Sequence, residues 1–220
     1  RCADVTGVQT CALPICYGLV LQLIGVLTER YAQPDTRLYD LGCSLGASTL
    51  QMRRHAPASC HIIGVDNSHA MVERCSANLS RDHSTASYEI CLEDLRETTI
   101  ENASMVVLNF TLQFVPDAER LAILSQIHEG LTPGGILLLA EKIRFDDEAQ
   151  QALMTDLHHD FKRLQGYSDL EIAQKRSALE HVLVPNSREQ HIERLQQAGF
   201  AVAEPCARCL NFEAYLAVRS

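Results

Sequence analysis

Apolar and polar positions along the chain follow two alternating periods. Residues 17–30 place apolar side chains on one helix face, for example Leu19, Leu23 and Val26, and Pro34 ends this pattern. Beyond it, short apolar runs typical of buried strands alternate with longer stretches of helical period. The pattern therefore predicts strands and helices in alternation along most of the chain.

The predicted strands are short and mostly apolar, as expected for a parallel sheet that is covered on both faces. They cover residues 37–40, 61–66, 87–92, 105–109 and 136–141, with two final strands at 201–206 and 213–218. The predicted helices between them cover residues 47–55, 69–78, 117–130 and 187–198. This alternation predicts an α/β protein with a mostly parallel, doubly wound, Rossmann-like sheet and an antiparallel C-terminal strand.

Two segments depart from the alternation. Residues 146–185 form a predicted helical insertion with a break near Gly166, and we expect it to act as a lid, a dimer surface or both. Residues 1–16 hold three of the nine cysteines, show neither period, and resemble translated sequencing-adapter DNA. We expect this segment to replace a genuine N-terminal segment and to have no function. Residues 17–220 are then expected to form a single domain.

Composition restricts the class of function. The 220 residues carry a net charge of -9, which argues against the clustered basic surface that direct nucleic-acid binding requires. No apolar run reaches the roughly 18 residues of a membrane span. The cysteine spacing gives no disulfide framework, so the reducing cytoplasm is the expected compartment. We therefore expect a cytoplasmic protein with a small-molecule ligand.

The segment Tyr39-Asp40-Leu41-Gly42-Cys43-Ser44-Leu45-Gly46 joins the first strand to its helix with the pattern D-x-G-x-S-x-G. Glycine lets the backbone turn sharply and approach a ligand, and the helix start offers unpaired N–H groups. A carboxylate before the glycines suits a hydroxyl or ammonium partner better than a diphosphate. The turn therefore indicates S-adenosylmethionine, and a plain turn with a capping serine is the simpler alternative.

Other polar residues follow the remaining strands, at the edge where open α/β sheets bind ligands. Asp66 follows the first glycine of the turn by 24 positions, close to the spacing of an acid that binds ribose hydroxyls, and Asn67 comes next. Asp94 and the backbone N–H of Leu95 can bracket an adenine edge. Asn109 offers a donor and an acceptor near the methionine part. Each alone is a common cap or turn residue, but together they indicate one binding edge.

Two pairs of residues have the types that bind metals but not the arrangement. His158 and His159 are adjacent on a predicted helix and do not face each other. Cys206 and Cys209 have the C-x-x-C spacing of a zinc or redox pair but lack a second pair. We expect no metal cofactor.

Five segments together resemble the carboxy-S-adenosyl-L-methionine synthases, a bacterial family with the class I methyltransferase fold. The resemblance extends from Tyr17 to the C-terminus. The segments are Tyr39–Gly46, Val65-Asp66-Asn67-Ser68, residues 101–114, His158-His159-Asp160-Phe161-Lys162-Arg163 and Gln174-Lys175-Arg176-Ser177. The third and the last are not general methyltransferase features, so the resemblance is to this family in particular.

The resemblance implies a reaction that does not transfer the methyl group. Members of the family use prephenate to place a carboxyl group on the methyl carbon of S-adenosyl-L-methionine, and they release phenylpyruvate. The product serves a downstream transferase that modifies the wobble uridine of certain tRNAs. The resemblance also implies a homodimer, with the insertion as the expected interface.

The binding positions of the family are all filled compatibly in this chain. They are Tyr17, Gly42, Cys43, Ser44, Asp66, Asn67, Asp94, Leu95, Asn109 and Arg176. Arg176 is the implied catalytic residue, because a guanidinium can hold the carboxylate of the donor, or the CO2 that it releases, against a sulfur ylide. A surface arginine that pairs with Glu180 one helical turn later is the alternative interpretation.

Two rival functions share the strand-end residues. A conventional S-adenosylmethionine-dependent methyltransferase acting on a small acid would differ at Arg176 and in the insertion. A non-catalytic cofactor-binding protein or dimer partner would not turn over prephenate.

Overall fold

The computed structural model describes residues 15–179 and 182–220, without the side chains of residues 175, 176, 178 and 179. Seven strands in this part of the chain form one sheet in the order β3-β2-β1-β4-β5-β7-β6. The strands are β1 Arg37–Leu41, β2 His61–Asp66, β3 Ser87–Leu92, β4 Ala103–Asn109, β5 Leu131–Lys142, β6 Val202–Cys209 and β7 Phe212–Val218. Strands β1 to β5 are parallel, and β7 is antiparallel to both of its neighbours. The strand order reverses at β1 and β4, which is where open sheets of this kind bind ligands.

Helices connect the strands and cover the sheet. They are α1 Tyr17–Tyr31, α2 Ala47–His55, α3 His69–Leu79, α4 Asp117–Gly130, α5 Glu148–Leu164, α6 Asp169–Leu179 and α7 Arg188–Gln197, with a 3-10 turn at Leu112–Phe114. Polar caps fix two of the starts: Asp147 accepts from the Gln150 N–H before α5, and Ser187 and Gln190 form a capping box before α7. None of the described helices is both long enough and apolar enough to span a bilayer.

The sheet separates the two larger core clusters, and β5 contributes side chains to both of them. Leu137 packs with Ile123 of α4 in the first cluster, whereas Leu138 packs with Val20 of α1 in the second. Successive side chains of a strand point to opposite faces. The polar residues at the end of β5 therefore also take opposite sides.

The structure confirms the α/β class, the doubly wound sheet, the C-terminal strand pair and the helical insertion with its break near Gly166. The predicted core face of α1 was wrong at Leu19 and Val26, because both are exposed and the face that packs on the sheet carries Val20, Ile24 and Leu27.

The predicted start of β5 at residue 136 was also wrong. The strand begins at Leu131, because residues 131–136 continue to follow β4 through an irregularity in register instead of forming a free turn. The expectation for residues 1–16 stays a prediction, since residues 1–14 lie outside the described part of the chain.

Candidate functional site

The turn after β1 is shaped for the close approach of a ligand. Gly42 and Gly46 both have φ of 83°, and Ser44 between them has φ of 50°, so the turn depends on left-handed backbone. A Cβ atom on Gly42 would lie 2.4 Å from Cγ2 of Thr111, in the loop after β4. Only glycine fits here, and the turn lies directly against the end of the neighbouring strand.

One carboxylate braces this turn. Oδ2 of Asp66 accepts a hydrogen bond from the Ser44 N–H at 2.9 Å, and Oδ1 accepts one from the Ser68 N–H, also at 2.9 Å. Each carboxylate oxygen has a second lone pair, so Asp66 can still accept ribose hydroxyls. The adjacent Asn67 is exposed. The structure therefore brings the ends of β1 and β2 together at the predicted residues.

Cys43 can contribute only its backbone to a ligand. Its side chain is buried with Cys75 and Leu79 beneath the turn. A hydrogen bond with the Cys75 thiol, followed by burial, raises the pKa of Cys43 well above that of an ordinary cysteine. A thiol held in its neutral form is a poor nucleophile.

Asp40, at the end of β1, has one carboxylate oxygen without a partner. The Thr49 hydroxyl donates to its Oδ2 at 2.6 Å, whereas its buried Oδ1 has no hydrogen-bond partner among the described residues. Burial raises the pKa of Asp40 to about 6. Burial and the nearby Asp40 charge also raise the pKa of Tyr17 to about 12, which places the first residue of α1 close to this carboxylate.

Asn109, at the end of β4, also has a buried side-chain oxygen without a partner among the described residues. Its Nδ2 donates to the Ser48 hydroxyl at 3.0 Å, and its Oδ1 is buried without a partner in the described part of the chain. A buried acceptor without a donor costs free energy, and these two, at the ends of neighbouring strands, are available to a ligand that carries N–H or O–H groups. The ammonium of S-adenosylmethionine is a ligand group that fits such acceptors.

Asp94 is engaged within the protein. The Arg96 side chain donates from Nε to Oδ1 at 2.9 Å and from Nη2 to Oδ2 at 2.6 Å, and it lowers the pKa of Asp94. Arg96 also contacts Glu119 on α4. The predicted adenine contact of Asp94 therefore requires that it share its carboxylate with Arg96. The next residue, Leu95, packs half-buried against the first core cluster.

Arg176 is the predicted site residue about which the structure gives the least information. Its backbone lies within α6, in the second half of the insertion. Its side chain lies outside the described residues, as does Glu180, the partner in the alternative interpretation. Both roles of Arg176 stay predictions.

The loop after β4 is held by buried groups that the sequence analysis missed. Oε1 and Oε2 of Glu141 each accept a backbone N–H at 2.9 Å, from Leu112 and Gln113 respectively. Arg120 donates to the carbonyls of Gln113 at 3.1 Å and Val115 at 2.9 Å. Burial raises the pKa of Glu141 to about 8, against the opposing effect of Arg120 and the N–H groups. The sequence signal that could have identified Glu141 is its acidic side chain at the end of the apolar run of β5.

No group of three or more histidine, cysteine or acidic residues within the described ranges is arranged to hold a metal ion. His158 is buried and its ring packs against Phe212 at 5.0 Å between centroids. Cys206 and Cys209 lie on β6, which is an edge strand of the sheet.

Solved structures share this fold. The cyclopropane synthase MmaA2 from Mycobacterium tuberculosis superposes with a TM-score of 0.63 at 16% identity, over 84% of this chain and 62% of that one. Human N-acetylserotonin methyltransferase, solved in complex with S-adenosylmethionine, gives a TM-score of 0.62 at 16% identity, over 94% of this chain and 52% of that one. These similarities establish the class I methyltransferase fold.

Sequence comparisons agree and are more specific. Residues 38–135 match the family model of a methyltransferase domain. The carboxy-S-adenosyl-L-methionine synthase of Trichlorobacter lovleyi is 55% identical over 207 residues, which is 92% of this chain and 84% of that protein. The synthase of Hahella chejuensis is 54% identical over 209 residues, with the same shares. Identity at this level across most of both chains shows that this chain belongs to the carboxy-S-adenosyl-L-methionine synthase family.

Proposed function

We propose that this protein converts S-adenosyl-L-methionine and prephenate into carboxy-S-adenosyl-L-methionine and phenylpyruvate. The product would supply a downstream transferase that modifies the wobble uridine of tRNA. Membership of the synthase family supports the product, and the fold supports the cofactor. With a net charge of -9, the protein is proposed to act on the small molecule and not to bind the tRNA itself.

The proposed reaction balances without an external oxidant or reductant. The bond between the ring and the ring carboxyl of prephenate breaks, the ring hydroxyl leaves as hydroxide, and the ring becomes aromatic. The hydroxide takes a proton from the methyl group of the sulfonium and becomes water. The resulting carbanion forms a bond to the released carboxyl carbon. The protein must therefore bring two small molecules together, orient them, and exclude bulk water.

The pair of unpartnered acceptors is the observation that carries the cofactor assignment. Oδ1 of Asp40 and Oδ1 of Asn109 lie buried at the ends of β1 and β4, on either side of the glycine turn. An ammonium can donate to both, whereas a diphosphate would be repelled by the carboxylate. The proposed cofactor-binding residues remain Tyr17, Gly42, Cys43, Ser44, Asp66, Asn67, Asp94, Leu95, Asn109 and Arg176.

Arg176 is the proposed catalytic residue, as the group that holds the migrating carboxyl. Arg176→Ala should abolish formation of the carboxylated product while leaving the calorimetric affinity for S-adenosylmethionine unchanged. Arg54→Ala is a matched control, because Arg54 is exposed on α2 and pairs only with Asp82. Wild-type product yield from Arg176→Ala would remove Arg176 from the mechanism.

The ligand that copurifies with the protein separates this function from a conventional methyltransferase. Mass spectrometry should find a compound heavier than S-adenosylmethionine by one CO2. Purified protein incubated with prephenate and S-adenosylmethionine should also release phenylpyruvate, which absorbs in the ultraviolet as its enol. Unmodified S-adenosylmethionine in the protein, together with no loss of prephenate, would contradict the proposal.

A further inference from the structure

Lys142, the last residue of β5, carries an ammonium group that nothing in the described part of the chain neutralises. The side chain is half-buried, and no hydrogen bond or ion pair is formed by its amine. Burial alone lowers its pKa. A desolvated charge without a partner is costly, so such a lysine is more often a binding group than a structural one.

The direction of this side chain follows from the alternation along β5. Leu138 and Ala140 face the cluster on the α1 side, and Lys142 comes two positions later on the same face. Asn109 of β4 is directly paired with Ala140, and its side chain also reaches toward that side, where it contacts Ser48 of α2. One strand spacing and two residues of rise separate Lys142 from Asn109 by roughly 8 Å between Cα atoms. Lys142 therefore lies on the same face of the sheet as Asn109, one strand away from it.

One aromatic residue lies directly beside this position, and it packs with two further rings at the edge of the second core cluster. Phe212 of β7 is the direct partner of Lys142 in the antiparallel ladder, so their side chains share one face. The Phe212 ring packs edge-on against Phe110 at 5.8 Å and against His158 of α5 at 5.0 Å between centroids. Phe110 directly follows Asn109 and has a left-handed φ of 61°. A cation next to an apolar, aromatic wall suits a ligand that combines a carboxylate with a six-membered ring.

We propose that Lys142 binds the side-chain carboxylate of the carboxyl donor, with Phe110 and Phe212 against the ring of that donor. This assignment rests on the proposed function, which supplies the donor. The side-chain carboxylate is present in both prephenate and phenylpyruvate, so a cation there holds the substrate throughout the reaction. The ring carboxylate, which migrates in the proposed reaction, is the group assigned to Arg176.

Binding of phenylpyruvate, the product, tests this site without requiring turnover. Phenylpyruvate is titrated by calorimetry into the full chain loaded with S-adenosylmethionine, as wild type and as Lys142→Met. The affinity should fall roughly 10- to 100-fold, the range for a lost charge-assisted hydrogen bond. The KM for prephenate should rise by a similar factor, and Lys142→Arg should restore part of the affinity.

Two controls separate binding from folding. Lys142→Met should unfold at the wild-type temperature or above it, because it removes an uncompensated charge from a half-buried site. Arg144→Met removes the same charge from an exposed position two residues later, and it should leave phenylpyruvate affinity unchanged.

Three results would overturn the assignment. Unchanged phenylpyruvate affinity in Lys142→Met, in a chain whose wild type turns over prephenate, would refute the site but not the proposed function. A loss of S-adenosylmethionine affinity instead would assign Lys142 to the carboxylate of the cofactor. Failure of the wild type to consume prephenate would refute the proposed function and this site with it.

Discussion

Asp40 is a residue whose availability to a ligand lowers the stability of the unliganded protein. Its carboxylate is buried at the end of β1, with one oxygen bound by Thr49 and the other without a partner among the described residues. Burial makes the charged form unfavourable and raises the pKa from 3.8 to about 6. The folded protein therefore binds the Asp40 proton more tightly than the unfolded chain does.

Asp40→Asn should change how stability depends on pH. Because the pKa of Asp40 is raised on folding, the wild type loses stability as pH rises from about 4 to about 6, and the loss is then constant. Asparagine does not titrate, so the free energy of unfolding of the variant should gain on that of the wild type by on the order of 2 kcal/mol between pH 4.5 and pH 7.5. Urea unfolding of both proteins at pH 4.5 and 7.5 measures the difference. A difference that is the same at both pH values would contradict the raised pKa.

At the residue scale, the sequence predicts where some site residues lie but not which partners they have. The places of Gly42, Asp66 and Asn109 at neighbouring strand ends were predictable, because the strands and turns that carry them are local signals, and their contacts with a ligand stay predictions. The engagement of Asp94 by Arg96 was not, since an arginine two residues away has no fixed direction in a loop. The unpartnered oxygen of Asp40 was not predictable either, because the sequence does not show which donors the fold brings near it.

At the scale of elements, the loop between β4 and α4 is the part of the site with the most polar support. Glu141 holds its N–H groups from β5, and Arg120 holds its carbonyls from α4. Arg120 also donates to Asn186, just before α7, and the Val184 N–H donates to the Gln113 carbonyl at 3.1 Å. The loop that touches the glycine turn is thus joined to the C-terminal end of the insertion.

Arg120→Met should be strongly destabilising. The substitution leaves the Val115 carbonyl without its buried donor and removes one of the two donors from the Gln113 carbonyl and from Asn186. A buried acceptor that loses its donor typically costs about 1–3 kcal/mol, and the two weakened acceptors add to that loss. The free energy of unfolding in urea is the measurement. Arg37→Met is the matched control, because Arg37 forms an exposed ion pair with Glu101 that should contribute less than about 1 kcal/mol. Similar losses in the two variants would show that the buried network has no special role.

The elements themselves were largely predictable, because apolar period and glycine or proline punctuation are local signals. The start of β5 was not, since Pro133 and Gly134 look like a turn in sequence. In the structure Leu131 pairs with Ala103 of β4, and Gly134 and Gly135 exchange backbone hydrogen bonds with Arg219, just after β7. The contact between Arg120 and Asn186 joins residues 66 positions apart. Long-range pairs of this kind leave no trace in a period of two or of 3.6.

At the scale of the whole molecule, the helical insertion exposes several leucines that no described part of a single chain covers. Leu153 and Leu157 of α5 lie one helical turn apart and are 54% and 41% exposed, and Leu164 and Leu170 nearby are more exposed still. Neighbouring exposed leucines on one helix form a surface that favours association. We propose that this surface is the interface of a homodimer, in line with the predicted role of the insertion.

Replacing both Leu153 and Leu157 with glutamate should convert the proposed dimer into a monomer. Charges that face each other across an apolar interface cannot be buried without partners. Light scattering coupled to size-exclusion chromatography gives the molar mass directly. Val26→Glu is the control, because Val26 is an exposed apolar residue on α1, outside the insertion. A wild type that already runs as a monomer would refute the dimer.

The brace formed by Asp66 has a kinetic consequence. Oδ2 of Asp66 accepts the Ser44 N–H across two strand ends, and Oδ1 accepts the Ser68 N–H of its own loop, both at 2.9 Å, so the glycine turn is held in place before a ligand arrives. A ligand then has no loop to order on arrival, so little of its binding free energy is lost to rearrangement. Capture of the cofactor should therefore be a single-step encounter, with an observed rate that rises linearly with ligand concentration and does not level off.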